Sequence, residues 1–129
     1  MKKTRKSKKP TDAELKILEV IWERGSATVR EVFQVLNERR KTGYTTVLKL
    51  MQIMLEKGIL KRDESVRPQV YRAAHPRRQT QKALVRDLLN STFGGSAGSL
   101  ALQALSMERS SPEELKEIRA LLDRLEEEE

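Results

Sequence analysis

Residues 41–58, KTGYTTVLKLMQIMLEKG, decide how the rest of the chain is read. Val47, Leu50, Met51, Met54 and Leu55 recur at i, i+3, i+4, i+7 and i+8, one apolar stripe of an amphipathic helix. Thr45, Lys49 and Gln52 fall on the other side, with Leu48 among them. The helix starts at Tyr44 or Thr45 and stops at Gly58. Just upstream, Thr28 and Glu31 form a capping box for a helix over residues 28–36, with Val29, Val32, Phe33 and Leu36 as its stripe. That helix frays into a basic turn, residues 37–41, and Gly43 supplies a tight or left-handed backbone. Two amphipathic helices joined by a short glycine-containing turn make a helix-turn-helix, whose second helix reads DNA.

Moving outward, Thr11 and Glu14 form another capping box, which starts a helix over residues 12–24. Leu15, Leu18 and Trp22 share a face, with Ile17 and Ile21 beside it, and Gly25 ends the helix. Ser26, Ala27 and Thr28 could add a very short strand. Residues 59–62 and 70–73 are β-prone runs around a polar loop. Pro68 sits on the return side of that loop, where a lost N–H donor costs little. A helix-turn-helix followed by a hairpin predicts a winged helix, with Arg67 and Gln69 as wing contacts and Arg62 and Arg72 as weaker candidates.

Three helical segments follow. Residues 77–93 carry Leu84, Val85, Leu88, Leu89 and Phe93 on one face, before a break at Gly94 and Gly95. Residues 99–107 carry Leu100, Leu102 and Leu105. Ser111, Pro112 and Glu114 start a last helix with Leu115, Ile118, Leu121, Leu122 and Leu125. Left exposed, so many leucines would aggregate, and a two-fold interface with a second copy buries them. The competing reading folds these helices back on the N-terminal half.

The 129-residue chain has a net charge of +7, and the charge is divided unevenly. Residues 1–82 hold 21 Lys/Arg and 9 Asp/Glu, a balance of +12; residues 83–129 hold 5 and 10, a balance of −5. The first part suits a polyanion and the second does not. Residues 1–9, MKKTRKSKK, are expected to be a disordered basic arm, either lying along phosphates or merely solubilising. Apolar content is 37% and aromatic content 4%, so one copy alone would have a thin core. No apolar run reaches the roughly 20 residues of a membrane span, and no apolar stretch follows the basic start as in a signal peptide. The expected location is the cytoplasm, without membrane insertion.

Catalytic constellations are missing from the sequence. His75 is the single histidine and precedes Pro76 in a connector; there is no cysteine. No P-loop or G-x-G-x-x-G occurs. Gly94, Gly95, Ser96 and Gly98 follow no strand, so they read as a hinge rather than a phosphate loop. The four terminal glutamates, residues 126–129, read as a solvated helix end. Neither enzyme, cofactor nor metal is expected.

In the recognition module, Arg39, Arg40, Lys41 and Lys49 are the candidate phosphate contacts, which drive affinity but not sequence choice. Tyr44, Thr45 and Thr46 lie in the turn that enters the groove deepest, and Gln52 continues that face. Two readings of Leu48 stand: contact with thymine methyls, or partial burial against the wing or second helix. Thr45 likewise caps the helix, contacts phosphate, or does both.

The segments TDAELKILEVIW, ATVREV, GYTTVLKLM and EKGILKR, in that order, resemble the penicillinase-repressor (BlaI/MecI-type) family. FGGSAGSLALQAL and SPEELKEIRALL are similar to its dimerisation region. The resemblance spans residues 10–125 and implies a homodimeric winged-helix repressor on dyad operators. It also implies release by proteolysis within the dimerisation region, linked to a membrane sensor protease. The family's scissile pair is Asn-Phe, whereas Gln103 and Ala104 stand at the corresponding place here. The cysteine cluster of copper-responsive relatives is missing. The sequence therefore predicts a mainly α chain with a β-hairpin wing: an arm over 1–9, a winged helix over 10–75 and a helical dimerisation region over 76–129. The alternative is a winged-helix scaffold without sequence-specific DNA binding.

Overall fold

The structure, a computed structural model, describes residues 9–128. Except for Lys9, the basic arm lies outside the described residues, as does Glu129. The described residues form α1 (Asp12–Arg24), α2 (Val29–Arg39), α3 (Tyr44–Lys57), β1 (Leu60–Asp63), β2 (Val70–Ala73), α4 (Arg77–Ser91), α5 (Ala97–Met107) and α6 (Pro112–Glu127). The chain divides into two compact units between Leu84 and Val85, and α4 contributes to both. Residues 83 and 84 are uncharged, so the balances of +12 and −5 apply to these units unchanged.

The first unit is a winged helix. Thr11 with Glu14, and Thr28 with Glu31, close the two expected capping boxes that start α1 and α2. Gly25 and Gly58 end α1 and α3 with positive φ, 86° and 81°, a conformation that costs glycine little. β1 and β2 pair antiparallel, with Leu60 opposite Ala73 and Arg62 opposite Tyr71. The expected third strand reduces to one bridge, in which Ala27 and Tyr71 exchange N–H···O bonds of 2.9 and 2.8 Å. Tyr71 thereby pairs β2 with Ala27 on the edge away from β1, which ties the wing to the segment between α1 and α2.

The core joins Ile17, Leu18, Val20 and Ile21 of α1 with Val32 of α2, Val47, Met51 and Met54 of α3, and Leu60 and Tyr71 of the hairpin. This corrects the face expected for α1. Glu14, Ile17, Leu18 and Ile21 form its buried stripe, while Leu15 and Trp22 are only partly buried. A charged residue at the head of the stripe hides the pattern.

Other differences are local. α2 continues through Arg39, so residues 37–39 are helical rather than a frayed turn. Gly43 is extended (φ −97°, ψ 145°), not left-handed. α4 stops at Ser91, where Gly94 and Gly95 take positive φ and the Gly95 N–H closes on the Leu89 carbonyl at 2.9 Å. α5 begins two residues earlier than expected because Ser96 caps it by accepting from the Ser99 N–H.

The second unit has amphipathic helices but no interior of its own. No residue of α4, α5 or α6 is buried. Leu102 is 70% and Met107 75% exposed, and Val85, Leu88, Leu105, Leu121, Leu122 and Leu125 are also exposed. Leu84, Leu89, Phe93, Leu100, Leu115 and Ile118 are half-buried.

Candidate nucleic-acid interface

Asn37, in the last turn of α2, accepts the Thr42 N–H on its side-chain oxygen at 3.0 Å. That bond shapes the turn between α2 and α3. Arg39, Arg40 and Lys41 stand exposed around it. Gly43 is the N-cap of α3, and no side chain caps this helix. The capping reading of Thr45 is therefore incorrect: Thr45 lies inside the first turn, one residue beyond Tyr44. The first intrahelical bond runs from the Val47 N–H to the Gly43 carbonyl at 3.2 Å. The N–H groups ahead of it lack intrahelical acceptors, as at any helix start. Thr45, Thr46, Lys49 and Gln52 are all exposed.

Tyr44 is held rather than loose. Its ring meets Phe33 edge-on, with centroids 5.7 Å apart, and the Arg30 guanidinium lies 5.0 Å from its centroid. Sequence reasoning misses Arg30 because it looks for cations at the turn, on the second helix of the motif and on the wing, not at the start of α2. Leu48 is half-buried against the core. It lines a shallow groove with Thr28, Val29 and Arg30 of the α2 start, Tyr44 of α3, and Pro68, Gln69 and Tyr71 of the wing. Gln69 thus lines the same groove as Tyr44 and Leu48 of α3, whereas Arg67 is exposed at the wing tip.

The wing has an inner and an outer face. Leu60, Arg62, Tyr71 and Ala73 share the inner one; Lys61 and Arg72 stand directly opposite each other on the outer one. Opposed like charges on a hairpin are destabilising by themselves, and the Asp63 carboxylate offsets part of the Arg72 charge. Arg62 instead donates to Glu64 at 2.9 Å. Asp63 accepts from the hydroxyl and N–H of Ser65, at 2.6 and 2.9 Å. The hydroxyl first, then the N–H, holds the Asp63 carboxyl below its usual range.

His75 supplies its carbonyl to the first unit, accepting the Trp22 indole N–H at 3.0 Å. Gln103 and Ala104 are exposed within α5. No cluster of three metal-binding side chains occurs among the described residues, and no described helix is long and apolar enough to cross a membrane.

The family model of the penicillinase repressor matches residues 10–124. The chain belongs to the penicillinase-repressor family. Members of this family are transcriptional repressors, which bind DNA and are not enzymes. Over 113 residues the chain is 26% identical to the penicillinase repressor of Bacillus licheniformis, covering 88% of each protein. Over 116 residues it is 28% identical to the transcriptional regulator BlaI of Mycobacterium tuberculosis, covering 89% of this chain and 83% of that one. It is also similar to the penicillinase repressor of Staphylococcus aureus, at 23% identity over 111 residues, covering 86% of this chain and 88% of that one.

Proposed function

We propose that this penicillinase-repressor family member represses transcription as a homodimer seated on a dyad operator. The observation that carries the reading is the pairing of an exposed, uncapped start of α3 with a C-terminal unit in which no helix buries a residue. α3 enters the major groove, where Thr45, Thr46 and Gln52 meet base edges while Arg39, Arg40, Lys41 and Lys49 neutralise phosphates. Gln69 and Arg67 extend the footprint along the wing. The apolar faces of α4, α5 and α6, from Leu84 to Leu125, form the self-complementary interface. Linking two heads raises operator affinity without any new contact to the bases.

Loss of that linkage is the proposed means of release. A sensor-linked protease cutting between Gln103 and Ala104 would divide the dimerisation unit. The pair lies in helix, so a protease must first unwind α5 to cut it.

The test is recovery of the genomic DNA that the purified protein selects. The reading requires a dyad sequence upstream of regulated genes, bound by two copies. Recovery of DNA without shared sequence favours the scaffold alternative.

A further inference from the structure

One buried ion pair plays no part in the interface described above. Glu14, 2% exposed, accepts from Lys57 Nζ at 2.7 Å, and the Lys57 side chain is 9% exposed. The pair joins the first turn of α1 to the last residue of α3. The same Glu14 oxygen accepts the Thr11 N–H at 3.0 Å, and the Glu14 N–H donates to the Thr11 hydroxyl at 3.2 Å. The capping box therefore orients the carboxylate that Lys57 reaches. Lys57 also donates to the Lys9 carbonyl at 3.4 Å.

We infer that Glu14 and Lys57 are positioning residues that set the rotation of α3 about its own axis, and with it which bases the helix reads. The inference rests on the DNA-reading function proposed above. The apolar packing of α3 is poorly suited to that task. Two of its three buried side chains, Met51 and Met54, are methionines, which repack with little resistance. Displacing a buried, hydrogen-bonded charge pair leaves an unpaired charge in the interior, which costs far more than repacking a methionine. Side-chain tips lie about 5 Å from a helix axis, so a rotation of roughly 20° moves Thr45 and Gln52 by about 1.7 Å. That exceeds what a base-edge hydrogen bond tolerates. Buried ion pairs are weak sources of stability, because desolvation offsets their attraction, and fixing a unique arrangement is one documented use of them.

The test compares Lys57→Met with the double variant Glu14→Gln/Lys57→Met. The glutamine keeps a side-chain oxygen for the Thr11 N–H, and the methionine fills the space of the lysine stem. The probes are a duplex selected by the unaltered protein from random-sequence DNA and an unrelated duplex of equal length. Lys57→Met leaves a buried carboxylate unpaired, so stability falls; the double variant regains most of it. We expect discrimination between the duplexes to fall about tenfold, the scale of one lost base contact, in both variants. The salt slope should not change, since a buried lysine neutralises no phosphate. Recovery of discrimination together with stability in the double variant would overturn the inference and leave the pair a purely structural tie. If the unaltered protein does not discriminate, the DNA-reading function fails and the inference fails with it.

Discussion

The indole Nε1 of Trp22 donates to the carbonyl of His75 across 3.0 Å, and the Arg77 guanidinium lies 5.6 Å from the centre of the same indole. The last turn of α1 thereby holds the segment that leads from β2 into α4. Trp22→Phe removes the donor but keeps most of the apolar contact. A neutral hydrogen bond contributes about 1 kcal/mol, so urea unfolding should show a loss of that order. Hydrogen exchange should rise around residues 74–77 while the α3 amides stay protected. Unchanged exchange there would mean that the connector is held by other contacts.

Gly58→Ala tests the end of α3. The residue sits at φ 81° with nothing within 4 Å of an added Cβ, so the cost is backbone strain alone. About 1–2 kcal/mol of stability should be lost, and operator affinity of the folded fraction should be unchanged. Calorimetry and a binding titration well below the melting temperature give both quantities.

Acid sensitivity follows from two carboxylates. Glu31 is held below its usual range chiefly by the Thr28 backbone N–H, with Arg24 and the Thr28 hydroxyl adding to the effect. Ser65 does the same for Asp63. A folded-state pKa below the unfolded value means that the stabilisation is present above the unfolded carboxylate range. It is lost as pH falls through the folded pKa values. Stability should therefore be flat near neutrality and decline below about pH 4.5, the ordinary carboxylate range. Thr28→Ala should lower neutral-pH stability by ~1 kcal/mol and leave most of that decline in place, because alanine keeps the backbone N–H that is the chief cause of the Glu31 shift.

Lys49→Ala and Leu48→Ala should separate affinity from sequence choice. Lys49 is exposed on α3. Its loss should weaken binding to all duplexes alike and reduce the salt slope by ~0.9 per head. Leu48 lines the groove between α3 and the wing, so its truncation should change the ranking of operator variants. A uniform loss for Leu48→Ala would show that it supports the fold without contacting bases.

Much of the winged helix is legible in the sequence because its signals are local. Capping boxes at Thr11, Thr28 and Ser111 mark three helix starts by residue type and spacing alone. The 3.6-residue stripe of α3 and the β-prone runs of the hairpin are similarly direct. What stays hidden depends on groups distant in sequence. Nothing local identifies Lys57 as the partner of Glu14, forty-three positions away. Nor does sequence decide between the two readings of Leu48, which lines the groove together with Gln69 of the wing. Gly43 misleads because glycine signals freedom without specifying its use, and the chain uses an extended conformation there. The leucines of the C-terminal unit are legible as apolar stripes, but a stripe does not name what covers it.

Covering those leucines with a second copy has a sharp energetic consequence. In a two-fold interface every substitution counts twice. Burying one leucine contributes roughly 1.5–3 kcal/mol, so Leu102→Glu should weaken dimerisation by at least about a hundredfold. Sedimentation should then show one copy at concentrations where the unaltered protein shows two.

The most direct measurement compares equilibrium binding to a selected dyad duplex with binding to the same duplex after one half-site is scrambled. Two linked heads predict an affinity for the intact dyad about 10²–10⁴ times higher, with two copies bound and a steep dependence on salt. Leu102→Glu should erase most of that advantage while leaving the affinity for a single half-site intact. Equal affinity for the intact, half-scrambled and unrelated duplexes would contradict a dimeric operator-reading repressor.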